Sequence, residues 1–413
     1  MDLSISFPKG KPINGEVSIT GSKSQSNRLL VLQKLFDLDV RLENTSTSDD
    51  TKVLIQALKS TSGIVDVHHA GTSMRFLTSY FALKANDRIV LTGSRRMQER
   101  PIGILVEALK SMGAKITYQH KKGYPPLEIR SVEALHSRVR LQANTSSQYI
   151  TSLMLIGGYL TDGLKIELEG PITSRPYIEL TQNTLKSIGV NSSFRNKIIK
   201  ISPFSKRNVN TLMVESDWSS ASYHYSLMAL SKKLNSRLVL SSFLKNSPQG
   251  DSQVAKIYFQ LGVMTTFDSN GQIVLSKKTI NGLQNSTIKL NLSDTPDLAQ
   301  TITVTCFGLK LGCTLYGLHT LKIKETNRLR ALEKELTKLG AQIQISDDSL
   351  TLMPRNKPIN PHVAIDTYDD HRMAMAFAPL GILVPITIKD SNVVSKSYPQ
   401  YWDDLKELQF EIF

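Results

Sequence analysis

Cysteine is nearly missing from this chain. Cys306 and Cys313 are the only two, with six residues between them. A disulfide framework is therefore excluded, and so is any Cys-x-x-Cys metal or redox motif. A reducing, cytoplasmic setting is the expectation. Long apolar runs are also missing. No window approaches the roughly 20 apolar residues of a membrane helix. The nearest, residues 373–388, is broken by Pro379, Gly381 and Pro385, and reads as a buried helix followed by a buried strand. The opening Met1-Asp2-Leu3-Ser4 has no basic region leading into an apolar core, so no signal peptide is expected. Aromatic residues make up only 7% and form no RNA-binding aromatic motif.

What is present describes a globular protein. The 413 residues and 46.0 kDa predict two or three domains. Hydrophobic residues at 40% and charged residues at 21% exclude a disordered chain. Bases outnumber acids 50 to 36, giving a net charge of +14 and a pI near 9.5. That excess calls for an anionic partner: a nucleic acid, a membrane surface or a phosphorylated metabolite. The basic residues are scattered, with no run longer than two.

A helix-to-strand signature recurs along the chain. Apolar residues at helical spacing lead to Gly113, Gly189, Gly262 and Gly340, at intervals of 76, 73 and 78 residues. Each glycine suits a helix C-cap. An earlier helix is expected to end near Gly63, and a last one, near Tyr401 to Leu408, to be cut short by the chain end. A second helix type opens on polar residues and turns apolar, starting near Ser24, Gly71, Ser146, Asp217, Asp294 and Asp369. These helices are apolar on most faces and belong inside a domain, whereas the first type is amphipathic and belongs outside. The pattern predicts six α/β units, the first of them short, arranged as two domains of three.

The polar helix starts are where chemistry is expected. A helix N-terminus offers free N–H groups and partial positive charge, so several of them converging on one cleft would suit a multiply charged substrate. The first, Gly21-Ser22-Lys23-Ser24-Gln25-Ser26-Asn27-Arg28, supplies hydroxyls and two cations, but not the Walker A spacing. Taken alone it reads equally well as a Ser-capped helix with solvated basic residues. The second is Ala70-Gly71-Thr72-Ser73-Met74-Arg75, where glycine permits close backbone approach. The third, Arg95-Arg96-Met97-Gln98-Glu99-Arg100-Pro101, places Pro101 in a first helical turn and Arg100 where it could fork onto a phosphate or carboxylate. Then come Ser146-Ser147-Gln148-Tyr149, Ser174-Arg175-Pro176-Tyr177, Asp217 to Tyr223, and Thr295-Pro296-Asp297. Lys324-Glu325-Thr326-Asn327-Arg328, Tyr368-Asp369-Asp370-His371-Arg372-Met373, and Lys396 before Tyr398-Pro399 complete the series.

In order and spacing, these segments resemble the 3-phosphoshikimate 1-carboxyvinyltransferases, or EPSP synthases, over nearly the whole chain. The resemblance implies a two-domain α/β enolpyruvyl-transferase-like fold. It has six βαβαββ-type repeats, three per domain, each domain an inside-out α/β barrel, closing at a two-stranded hinge. The domains would be residues 1–20 with 217–413, and residues 21–216. The implied reaction moves the enolpyruvyl group of phosphoenolpyruvate to the 5-hydroxyl of shikimate 3-phosphate and releases phosphate. It is a step toward chorismate and the aromatic amino acids, with no metal or organic cofactor. A monomer that binds neither nucleic acid nor membrane is the expectation.

The resemblance also implies roles. Lys23 would touch both substrates. Ser24, Arg28, Ser146, Ser147, Gln148, Ser174, Tyr177 and Lys324 would hold shikimate 3-phosphate. Gly71, Arg100, Arg328, Arg372 and Lys396 would form the phosphoenolpyruvate site, with Gln148 shared. Asp297 would accept the proton of the 5-hydroxyl, and Glu325 would protonate the methylene carbon. Asp217, Asp370 and His371 would support them. Such a reaction needs one carboxylate to take a proton, an acid to give one to carbon, and cations to offset the repulsion of two anions.

Two positions depart from the family pattern. His69 stands where Asn is usual, and Asn327 where Asp is frequent. Two rival readings remain. A UDP-N-acetylglucosamine enolpyruvyl transferase shares the fold and donor, but usually carries a cysteine in the loop that here runs from Gly93 to Arg100 without one. A non-catalytic polyanion binder explains the net charge but not the ordered Asp, Glu and Ser positions.

Overall fold

The computed structural model describes residues 1–143, 146–205, 209–279 and 286–413. The chain forms two compact units, Gly21–Val214 and Met1–Thr20 together with Glu215–Phe413. Each has its own core of buried Leu, Ile, Val and aromatic side chains.

In the Gly21–Val214 unit, three helices, Lys23–Leu35, Gly71–Lys84 and Ser147–Gly157, pack against one another at the centre. Two four-stranded sheets belong to the same unit. In one, Gly63–Asp66 runs parallel to Ile89–Thr92, which pairs antiparallel with Leu127–Arg130 and through it with Lys115–Tyr118. The other repeats that order with Arg138–Gln142, Leu164–Glu169, Ile198–Ile201 and Ser192–Arg195. Among the described residues the third sheet is a parallel pair, Arg41–Glu43 with Thr211–Met213, in keeping with the short first unit read from the sequence.

The other unit has three full sheets of the same order. In two of them a strand comes from the chain's first residues: Asn14–Val17 lies parallel to Arg237–Leu240, and Leu3–Ser6 lies between Ile386–Ile388 and Glu411–Ile412. Its central helices are Trp218–Leu230, Ala299–Gly308 and His371–Phe377. Trp218–Leu230 is buried on nearly every face, and Ser219 alone among its residues is only partly buried. By contrast, Arg328–Lys338 buries positions 328, 329, 331, 332, 335 and 336, a single stripe, as an outer helix should.

Gly113, Gly189, Gly262 and Gly340 all follow helices at positive φ, between +83° and +104°. Side chains avoid this region, so the cap requires glycine there. Gly63 is different. Its helix, Asp49–Ala57, ends earlier, and Gly63 opens a strand. The last repeat is not truncated. Gln409, at φ +68°, takes the glycine position after Tyr401–Glu407, and the strand Glu411–Ile412 still pairs. The helix expected near Asp294 begins at Ala299, after a 3₁₀ turn over Pro296–Leu298. Pro101 precedes the helix Gly103–Ser111 rather than entering its first turn. Its carbonyl instead accepts from Arg75 Nη2 at 2.8 Å and from the Tyr149 hydroxyl at 2.6 Å.

Candidate active site

In the Gly21–Val214 unit, the site is built on helix starts. Ser22 caps the first of them through the Gln25 N–H. Gly21 is forced by space, since a Cβ there would lie 1.7 Å from the Asn44 carbonyl oxygen. Lys23 Nζ pairs with Asp50 Oδ2 at 2.9 Å. Sequence reasoning did not single out Asp50. Its signal was Ser48-Asp49-Asp50, a capped helix start with an acidic first turn.

Arg28 is buried one turn on. It donates to Thr181 Oγ1 at 2.8 Å, to the Ser24 carbonyl at 2.7 Å and to Thr151 Oγ1 at 3.3 Å. Its guanidinium also lies 5.4 Å from the Phe76 ring and 5.9 Å from the Tyr177 ring. Among the described residues no carboxylate pairs with it, and burial pulls its pKa down to about 10. A buried cation with neutral partners is costly and favours an incoming anion. Ser24, Arg28 and Tyr177 are thus brought together. Ser174 begins the Tyr177 helix at φ +56°, and its hydroxyl makes no capping bond. Left-handed serine costs on the order of 1–3 kcal/mol and concentrates at working sites.

Gly71 opens the helix Gly71–Lys84 directly under Arg100. A Cβ on Gly71 would lie 2.7 Å from Arg100 Nη1. Arg100 is buried, and its Nε has no hydrogen-bond partner among the described residues. Ser146 caps its helix through the Gln148 N–H at 3.3 Å, and Gln148 Nε2 reaches Thr72 Oγ1 at 3.3 Å. So Ser146, Ser147 and Gln148 share one helix start, joined by Gln148 to the start at Gly71. His69 is held by Ser94 Oγ at 3.1 Å from Nδ1.

In the other unit, charges crowd around Asp297. Arg328 Nη1 donates to its Oδ1 at 2.9 Å and Arg372 Nη2 to its Oδ2 at 3.0 Å, with Lys324 Nζ 3.6 Å from Oδ1. Burial alone would raise the Asp297 pKa, but Arg372, Lys324 and Arg328 outweigh it and hold the carboxyl well below the usual range. Arg328 also donates to Glu325 Oε2 at 2.8 Å and to Asp370 Oδ2 at 2.6 Å through Nε. Burial lowers its pKa, yet the carboxylates, Asp370 foremost, leave it raised. One guanidinium therefore fixes Asp297, Glu325 and Asp370 together.

The turn that supplies Asp370 is strained. Tyr368 and Asp369 both sit at φ +55°. Asp370 then caps the next helix through the Arg372 N–H, and its partner Arg328 is anchored by the same carboxylate. Lys396 Nζ donates to the Asp369 carbonyl at 2.7 Å, which brings it to the same turn. Asn327 caps the helix that starts at Arg328 by accepting from the Arg330 N–H. Asn and Asp cap about equally well, so the departure at this position keeps the local geometry. Asp217 caps Trp218–Leu230 through the Ser220 N–H at 2.8 Å. Asp251, also missed from sequence, accepts a hydrogen bond from Ser219 beside Arg372.

The family described as EPSP synthase (3-phosphoshikimate 1-carboxyvinyltransferase) matches residues 7–63 and 59–405. A 3-phosphoshikimate 1-carboxyvinyltransferase of Bacteroides fragilis strain YCH46 is 42% identical over 403 residues, covering 97% of this chain and 96% of that one. One from Sulfurovum sp. strain NBC37-1 is 34% identical over 436 residues, covering 98% and 99%. Among solved structures, an EPSP synthase from Acinetobacter baumannii aligns over 100% of this chain and 99% of its own, with a TM-score of 0.77 at 21% identity. The enolpyruvyl transferase NikO from Streptomyces tendae aligns over 100% and 98%, with a TM-score of 0.73 at 13% identity. These two establish the shared fold.

Proposed function

Because the chain belongs to the EPSP synthase family, we propose that it transfers the 1-carboxyvinyl group of phosphoenolpyruvate to the 5-hydroxyl of shikimate 3-phosphate, releasing phosphate. On this reading it serves the shikimate pathway in the cytoplasm as a monomer. The observation that carries the mechanism is the shared guanidinium: Asp297 Oδ1 and Glu325 Oε2 lie 2.9 and 2.8 Å from the two terminal nitrogens of Arg328. A base and an acid held on one rigid fork suit a reaction that removes a proton from oxygen and adds one to carbon.

Glu325 gives its proton to the methylene carbon of phosphoenolpyruvate, leaving positive charge on the carbon that bears the phosphate. The 5-hydroxyl oxygen attacks that carbon as Asp297 takes its proton. Glu325, now a carboxylate, takes a methyl proton back as phosphate leaves, and the double bond re-forms. Asp297, so strongly held in its ionised form, is a weak base while its cations are uncompensated. Anionic substrate beside Arg372, Lys324 and Lys396 offsets their field and strengthens it. Lys23, Ser24, Arg28, Ser146, Ser147, Gln148, Ser174, Tyr177 and Lys324 take shikimate 3-phosphate. Lys23, Gly71, Arg100, Gln148, Arg328, Arg372 and Lys396 take phosphoenolpyruvate. The hydroxyls and amides on the Ser146 helix start support this assignment, as does the buried, carboxylate-free Arg28.

Phosphate release by the purified chain tests the proposal. It should require both substrates, persist in EDTA, and not occur with UDP-N-acetylglucosamine as acceptor. Release with that sugar nucleotide, or loss of turnover in EDTA restored by a divalent ion, would overturn it.

A further inference from the structure

We propose that Asp251, acting through the Ser219 hydroxyl, is a positioning residue that aims the Arg372 guanidinium for phosphoenolpyruvate. The inference rests on the reading of Arg372 given above and adds to it the device that holds the side chain in place. Ser219 Oγ donates its proton to Asp251 Oδ2, which leaves its lone pairs for Arg372 Nη2, 3.4 Å away. The same Nη2 donates to Asp297 Oδ2 at 3.0 Å. Arg372 is therefore held on one side by the proposed base and on the other by a hydroxyl whose direction a second acid dictates. Without Asp251, the Ser219 proton is free to turn toward Arg372, and an acceptor becomes a repelling donor.

The surroundings show that this arrangement is built rather than incidental. Asp251 is the second residue of a 3₁₀ turn, Gly250–Gln253, that Gln249 fastens to the start of the Trp218 helix. Gln249 accepts from the Trp218 N–H at 3.2 Å and donates to the Ser216 carbonyl at 2.8 Å. Buried Glu215 closes the assembly. It accepts from Trp218 Nε1 at 2.7 Å, from Ser247 Oγ at 2.7 Å and from Gln249 Nε2 at 3.0 Å. That frame fastens the turn carrying Asp251 to the helix start carrying Ser219. Asp251 itself is unfavourable there. Burial pushes its carboxyl up to about 6, Asp297 adds to the rise, and Arg372 opposes it. A residue that costs stability where it stands, in a frame that forces it to stand there, is the pattern of a functional group.

Steady-state kinetics on the full chain test this. Asp251→Asn removes the charge and presents an amide whose NH2 can donate to Ser219, so the hydroxyl proton is no longer directed away from Arg372, and Ser219→Ala removes the bridge. Each should raise the KM for phosphoenolpyruvate about five- to twentyfold, lower kcat by less, and leave the KM for shikimate 3-phosphate unchanged. The double variant should be no worse than Ser219→Ala alone, and Ser219→Thr should restore the parent KM. The melting temperature of Asp251→Asn should match or exceed the parent's. An unchanged KM for phosphoenolpyruvate in both variants overturns the inference. So does a rise in both KM values accompanied by a fall in melting temperature, which marks a merely structural role. Should Asp251→Asn not fold, Ser219→Ala and Ser219→Thr decide the matter. Arg372→Ala is the reference: no effect of that change on phosphoenolpyruvate would sink the reading of Arg372, whereas a strong effect with Asp251→Asn silent sinks only the positioning role.

Discussion

Substituting Gly71 by alanine should weaken phosphoenolpyruvate binding by moving Arg100. The new Cβ would stand 2.7 Å from Arg100 Nη1 and 3.0 Å from both Cζ and Nη2. Ordinary contacts are about 3.5–4.0 Å, so the guanidinium must retreat by nearly an ångström. It is the far end of a flexible side chain, and its Nε has no partner among the described residues to resist the movement. The fold should therefore tolerate the change, with a melting temperature within about 2 °C of the parent, since 1 kcal/mol is worth roughly 2–4 °C in a sizeable domain. The ligand should not. A hydrogen bond to a charged group is worth about 1.5–3 kcal/mol. Losing much of one raises the KM for phosphoenolpyruvate about tenfold, at 1.4 kcal/mol per decade. Because the methyl group also narrows the pocket, a bulkier competing anion should lose more than the substrate does. The assay is the KM for phosphoenolpyruvate at saturating shikimate 3-phosphate, in parent, Gly71→Ala, Arg100→Ala and the double variant. If Gly71 acts through Arg100, alanine at position 71 adds nothing once Arg100 is gone. A KM within twofold of the parent, or additive effects in the double variant, would refute the reasoning.

Asp297→Asn and Glu325→Gln keep shape and remove proton transfer, so each should cut kcat by about 10²-fold or more. Binding of shikimate 3-phosphate, measured by calorimetry, should survive in Glu325→Gln, and near-parent turnover in either variant would show the role misassigned. Arg328→Lys should lower the melting temperature by several degrees, because stranding buried carboxylates costs about 3–5 kcal/mol, whereas an unchanged melting curve would mean the cluster is not under that constraint. Burial, against the Tyr398 hydrogen bond, pushes the Asp404 carboxyl up to about 6. Its folded value thus exceeds its unfolded one, and stability drains as pH rises from about 4 through 6. Asp404→Asn should therefore gain melting temperature over the parent across that window and hold the gain above it. A difference that does not vary with pH would contradict the assigned cause.

Much of this architecture could be read from periodicity, and the places where reading failed have physical causes. The glycine caps at 113, 189, 262 and 340 were visible because a left-handed helix end strongly favours glycine. Gly63 misled because its positive φ serves a strand entry, which looks the same in sequence. Gln409 was invisible as a cap because nothing marks a glutamine that adopts φ +68°. At the site, residue types at helix starts pointed to anion binding, but partners distant in the chain did not show. Arg328 was read beside Lys324 and Glu325, while the carboxylate nearest its Nε, that of Asp370, lies 42 residues further on. Asp251 sits in a polar turn that reads as surface.

The division of labour among the cations is likewise written in burial rather than in residue type. Arg328, with a side chain 2% exposed, is committed to three carboxylates, one of which, on Asp370, is fully buried. Moving it would leave those charges unpaired, so whatever contact it makes with phosphoenolpyruvate it makes from where it stands. Arg372 at 12% and Lys324 at 27% are more exposed, and each pairs with Asp297. They can turn to an arriving phosphate or carboxylate while Asp297 keeps Arg328. If Asp297 is the base proposed above, that exchange would free it from two of its three cations as the acceptor hydroxyl arrives. On the proposed reading, Arg328 fixes Asp297 and Glu325 in place, and the response of the site to anionic charge would belong to Arg372 and Lys324.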